Sequence, residues 1–127
     1  MNKNEKLYVK KCDCREIQEE WKPKVGDRYY GRFFKNTDCI SVESVIWFGK
    51  ILTRKTLIKD YIFLPSLEQL MAILGDGFVS LRRVGMSFHC SLLEFRSDKR
   101  NWFVDYTPKL ACLRAVKEIR KEENAYT

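Results

Sequence analysis

The chain has one histidine, His89, and it lies in Ser87-Phe88-His89-Cys90-Ser91, an imidazole beside a thiol and two hydroxyls. Nucleophilic catalysis needs base and nucleophile within hydrogen-bond reach of each other. In a strand, neighbours point to opposite faces, so His89 is turned away from Cys90 and shares its face with Ser87 and Ser91. The segment therefore predicts a satisfied or surface histidine. Asp27, Asp38, Asp60, Asp76 and Asp105 fall at element ends, where acidic side chains serve turns, and offer no paired carboxylates for acid-base work. Cys12-x-Cys14 brings two thiols near one point, but a tetrahedral zinc site needs four ligands and no second Cys or His pair follows at suitable spacing. The expectation is no metal and no cofactor, with Cys14 packing beside Ile17 and Trp21 and Cys12 incidental. Phosphate-cradling loops of the Gly-x-x-x-x-Gly-Lys-Ser/Thr and Gly-x-Gly-x-x-Gly types are missing, and Gly75-Asp76-Gly77 follows a predicted helix instead of opening one.

What remains is charge interleaved with rings. Arg28-Tyr29-Tyr30-Gly31-Arg32-Phe33-Phe34, Arg54-Lys55, Arg82-Arg83 and Arg96-Ser97-Asp98-Lys99-Arg100-Asn101-Trp102 combine cations that bind phosphates with rings that stack on bases. As a strand, the first run places Arg28, Tyr30, Arg32 and Phe34 on one face and Tyr29, Gly31 and Phe33 on the other. Arg28, Tyr30, Arg32, Arg82, Arg83, Lys99, Arg100 and Trp102 are accordingly the candidate ligand-binding residues. Arg114, Lys117 and Lys121 lie together on the last helix, but Glu118 and Glu122 beside them make that face ordinary solvated surface.

These residues are positioned by a short series of elements. Residues 1–10 have charge without period and predict a flexible arm, or a short edge strand at Leu7-Tyr8-Val9. A helix is expected from Asp13, with Glu16 at capping-box spacing and Cys14, Ile17 and Trp21 on one face, ended by Lys22-Pro23. Strands are expected over Arg28–Phe34 and from Cys39 to Trp47, the second with a bulge near Glu43-Ser44. Lys59–Leu64, a third short apolar run, leads into Pro65-Ser66-Leu67-Glu68-Gln69, where Ser66 and Gln69 predict a capped helix with Leu67, Leu70, Met71 and Leu74 inward and Gly75 at its end. Val79–Val84, Met86–Phe95 and Asn101–Tyr106 are rich in strand formers, the last two joined by the polar Arg96–Arg100 connection. Thr107 and Pro108 then start a final helix with Cys112, Ala115, Val116 and Ile119 buried, Leu113 flanking, and a frayed tail over 122–127. The prediction is an α+β fold, a single domain over 1–127 with a mainly antiparallel sheet and two or three short helices.

Composition narrows the class. With 127 residues, 45% hydrophobic and 13% aromatic, the chain carries enough apolar material for one core. Its most apolar window, Tyr61 to Leu81, is interrupted by Pro65, Glu68, Gly75, Asp76 and Gly77, so no membrane span is expected. A polar N-terminus without an apolar signal core, and an odd five cysteines, predict reduced thiols in a cytoplasmic protein. The net charge of +7, from 24 basic and 17 acidic residues, favours anionic partners.

Glu20-Trp21-Lys22-Pro23-Lys24-Val25-Gly26-Asp27, Phe63-Leu64-Pro65-Ser66-Leu67-Glu68-Gln69-Leu70 and Thr107-Pro108-Lys109-Leu110-Ala111-Cys112-Leu113-Arg114-Ala115 resemble small uncharacterised proteins encoded in phages and prophages of Gram-positive bacteria. The likeness runs from about Gln18 to Glu122, and this chain is richer in cysteine and more basic. The resemblance implies a phage-type accessory protein and carries over no functional residues; proteins of this class often act by binding a host or defence component, and some sequester nucleotide signals. Together with the basic, aromatic runs it predicts a non-enzymatic binding protein for nucleic acid or a nucleotide-like anion. The alternative is a protein-interaction module, bound to a host protein or to itself as a homo-oligomer, with exposed Tyr29, Phe33, Trp47 or Trp102 as anchors. A third is an enzyme centred on His89.

Overall fold

Asn2 opens the first helix. Its side-chain oxygen accepts from the Glu5 backbone N–H at 2.8 Å and its amide donates back to the Glu5 carboxylate at 3.2 Å, a reciprocal cap built with asparagine. In the computed structural model, which describes residues 2–22, 27–31, 61–93 and 102–125, helix α1 therefore spans Lys3–Cys12 where an arm or edge strand was expected. Tyr8, Val9 and Cys12 are buried, and the Tyr8 hydroxyl donates to the Pro65 carbonyl. Asp13 closes α1 and does not start the next helix; α2 is the single turn Arg15–Gln18, with Cys14 at its N-cap and no side-chain cap bond. Cys12 is the buried cysteine of the pair and Cys14 only half-buried, the reverse of the expected packing.

Strand β1 (Arg28–Gly31) pairs antiparallel with β2 (Tyr61–Leu64), Tyr29 opposite Phe63. Phe63 turns its backbone groups away from β1, and the buried Gln18 amide takes the place of a third strand. It accepts from Phe63 N at 2.8 Å, donates to Phe63 O at 3.0 Å, and donates to Cys12 O at 2.8 Å. Trp21 stacks flat on Phe63, ring centroids 5.0 Å apart, and its indole N–H donates to buried Asp27 at 2.9 Å. The Gln18 amide, the Trp21 indole and the Phe63 backbone groups are thus paired inside the core.

Ser66 and Gln69 form the predicted capping box, with Gln69 N donating to the Ser66 hydroxyl at 3.1 Å and Ser66 N to the Gln69 side chain at 2.8 Å. Helix α3 (Leu67–Leu74) buries Leu70 and Leu74 and stops at Gly75, whose φ of +56° a side chain would strain. A short turn, Gly75–Gly77, leads into β3 (Phe78–Val84), β4 (Ser87–Leu92) and β5 (Trp102–Asp105), an antiparallel sheet in the order β3-β4-β5. Gly85, at φ +63°, makes the tight β3–β4 turn. Thr107 accepts from Leu110 N at 3.1 Å and Pro108 takes the first position of α4, which spans Pro108–Ala125 and so carries helix past residue 122, where fraying was expected. Leu110, Ala111, Cys112, Leu113, Ala115 and Val116 of α4 are buried, Leu113 lying within the core and not at its flank.

The fold is α+β, and the described residues form two antiparallel sheets, one of two strands and one of three. Among the described residues it has four α-helices, more than the two or three predicted. The chain divides into two compact units, Met1–Pro65 and Ser66–Thr127, with one sheet in each. The expected strand from Cys39 to Trp47, the aromatic run beyond Gly31 and the Arg96–Arg100 connection lie outside the described residues. No helix among the described residues is long and apolar enough to cross a membrane.

Candidate functional site

The three-stranded sheet has two unlike faces. In-register partners share a face, so Leu81, Cys90 and Phe103 lie on one side, as do Arg83, Phe88 and Asp105. This side carries α4: the Cys112 thiol meets Cys90 at 3.7 Å, and Arg114 pairs with Asp105 at 2.7 Å. The opposite face is formed by Ser80, Ser91 and Trp102 in one row, Arg82, His89 and Val104 in the next, and Val84 beside Ser87 at the hairpin end. None of these residues is buried. A bulge at Val79 shifts the register between Phe78 and Ser80 and brings Ser80 into this row.

His89 occupies the central strand of that face, with Arg82 directly across on β3. Trp102, on β5, is its diagonal neighbour, and the two rings stack nearly parallel, 3° between planes and 5.5 Å between centroids. Trp102 remains 43% exposed. The Arg82 side chain is exposed. A cation, a stacked imidazole–indole pair and three serine hydroxyls thus stand on one surface, and such a set can hold a phosphate and a planar ring together.

The predicted site residues distribute unevenly. Arg82 and Trp102 come together. Arg83 does not join them: the strand turns it to the other face, where its Nε donates to the Gly85 carbonyl at 3.1 Å. In the first unit, Arg28 and Tyr30 share the half-buried face of β1 while Tyr29 and Gly31 are buried. Tyr29 is 1% exposed and packs edge-on against Tyr61, centroids 4.8 Å apart, which removes it as an exposed interface anchor. Arg32, Lys99 and Arg100, with Phe33 and Trp47, lie outside the described residues. The residue missing from the predicted set is His89. Its partnership with Trp102 depends on the β4–β5 register, which no local pattern in the sequence fixes.

Cys90 faces away from His89 and is fully buried against α4, as is Cys112. The hydrogen bond from the Cys112 thiol to Cys90, with burial added, holds the Cys112 pKa far above the usual thiol range, while the same bond lowers that of Cys90. The pair is core packing with a donor and an acceptor assigned. Among the described residues, no group of three or more His, Cys, Asp or Glu side chains is placed to hold a metal ion.

Compared with protein-family models, curated proteins and solved structures, the chain matches none.

Proposed function

We propose that the chain is a non-enzymatic, phage-type binding protein that holds an anionic ligand, nucleic acid or a nucleotide-like signal, on a basic and aromatic surface. One observation carries the reading: Arg82, His89 and Trp102 share the sheet face opposite α4. An arginine beside stacked rings supplies the two interactions that a nucleotide offers, charge at the phosphate and a π-face at the base. The chain's net charge of +7 draws such ligands towards it.

The test is a pair of charge reversals on adjacent residues. Arg82→Glu is expected to weaken binding of a labelled polyanionic oligonucleotide about tenfold or more, the worth of a charge-assisted phosphate contact. Arg83→Glu changes the net charge equally from the other face and is expected to cost little. Equal losses would show that only overall charge matters, and no loss in either would remove Arg82 from the site. The interaction-module reading draws on Val84 and Met86, exposed together at the β3–β4 turn; self-association that survives high salt would favour it.

A further inference from the structure

We infer that the β3–β4–β5 face takes single-stranded nucleic acid, an unpaired base lying on the Trp102–His89 stack with Arg82 at the phosphate; this rests on the anionic-ligand reading above and narrows it. The argument begins with what the rings can offer. A base inside a duplex is covered on both faces by its neighbours and shows only its edges. A π-stack is therefore of use only to a base that has left the helix, or never entered one. His89 and Trp102 are already parallel, which orients the indole so that a further ring can continue the stack. Trp102 keeps 43% of its surface exposed in that position.

The surroundings fit the same ligand. Ser80, Ser87 and Ser91 are the shortest hydroxyl side chains, so the rings stand above them and the hydroxyls can donate to or accept from base edges. Arg82 and Trp102 sit on the two outer strands, two strand spacings apart and offset by two residues, roughly 12 Å, within the span of an extended nucleotide or two. Charge complementarity is supplied by Arg82, which is exposed on that face.

One way to read a duplex is a basic helix in the major groove. The longest helix among the described residues, α4, does not present one: Arg114 is committed to Asp105 at 2.7 Å, and Glu118, Glu122 and Glu123 alternate with Lys117, Arg120 and Lys121. A sheet face with rings on it is a surface for splayed bases.

The experiment is fluorescence anisotropy with the full chain against four probes: a short oligothymidylate, an oligouridylate of equal length, a DNA hairpin duplex, and ATP as a mononucleotide competitor. The variants are Trp102→Phe and Trp102→Leu, which both fill space while only the first keeps a π-face, and Arg82→Gln. Single strands are expected to bind at least about tenfold more tightly than the duplex; Trp102→Leu is expected to lose about tenfold or more, and Trp102→Phe to retain most of the affinity. The ratio of thymidylate to uridylate affinity reports whether DNA or RNA is preferred. Equal binding of duplex and single strand, or equal affinity of the Phe and Leu variants, overturns the single-strand inference; if Arg82→Gln still weakens binding, the anionic-ligand reading stands without it. Binding to none of the four probes overturns both.

Discussion

Gln18 shows how much can hang on one side chain. A buried amide satisfies the N–H and C=O of Phe63 and the C=O of Cys12, doing for Phe63 what a neighbouring strand would do. Leucine would fill the space and leave all three groups without this partner. At about 1–3 kcal/mol for a buried group left unpaired, Gln18→Leu is expected to lower the unfolding free energy by about 3 kcal/mol, read by urea titration; a loss within about 0.5 kcal/mol would mean water replaces the amide. At the site, the residue scale is governed by alternation. The rule that separates His89 from Cys90 also separates Arg82 from Arg83, so their adjacency in sequence misleads about their convergence in space.

The elements differ in how openly the sequence announces them. Helix α3 is bounded by a serine, a glutamine and a glycine, each with a local mechanism, and the structure makes both hydrogen bonds of the box. Ser66→Ala is expected to cost about 1 kcal/mol in a urea or thermal melt, the usual value of an N-cap. Thr107 and Pro108 announce α4 in the same way. The start of α1 was equally local, Asn2 with Glu5 three residues on, but its apolar stripe is only Tyr8, Val9 and Cys12 among lysines, too narrow to register as a period. Asp13, read from the sequence as a helix start, is an end, because the tight turn from Cys12 to Cys14 closes α1 there. The β4 and β5 strands were legible as strands from their composition. What could not be read was their register, and with it the meeting of His89 and Trp102, because the pairing of two strands is a long-range property of packing. The candidate face was therefore half visible: its types were in the sequence and its assembly was not.

At the scale of the whole molecule, the +7 charge and the small aromatic face make separable contributions, and salt separates them. Charge acts at long range, raises the encounter rate and weakens as ions screen it; stacking acts only in contact and is indifferent to ionic strength. For a single strand, log affinity falls with log salt by about 0.7 for each phosphate neutralised, so the slope counts the phosphates held. Arg82→Gln is expected to lower both the affinity and the slope, the latter by about 0.7, whereas Trp102→Leu lowers the affinity at every salt concentration and leaves the slope where it was. Measuring affinity from about 50 to 300 mM salt for the native chain and both variants reads the two contributions independently. A shallow slope, equivalent to one or two phosphates, would assign the face to a nucleotide-like signal. A steep slope and an affinity both shared by all three proteins would place the binding on the other basic side chains and leave the sheet face with no part in it.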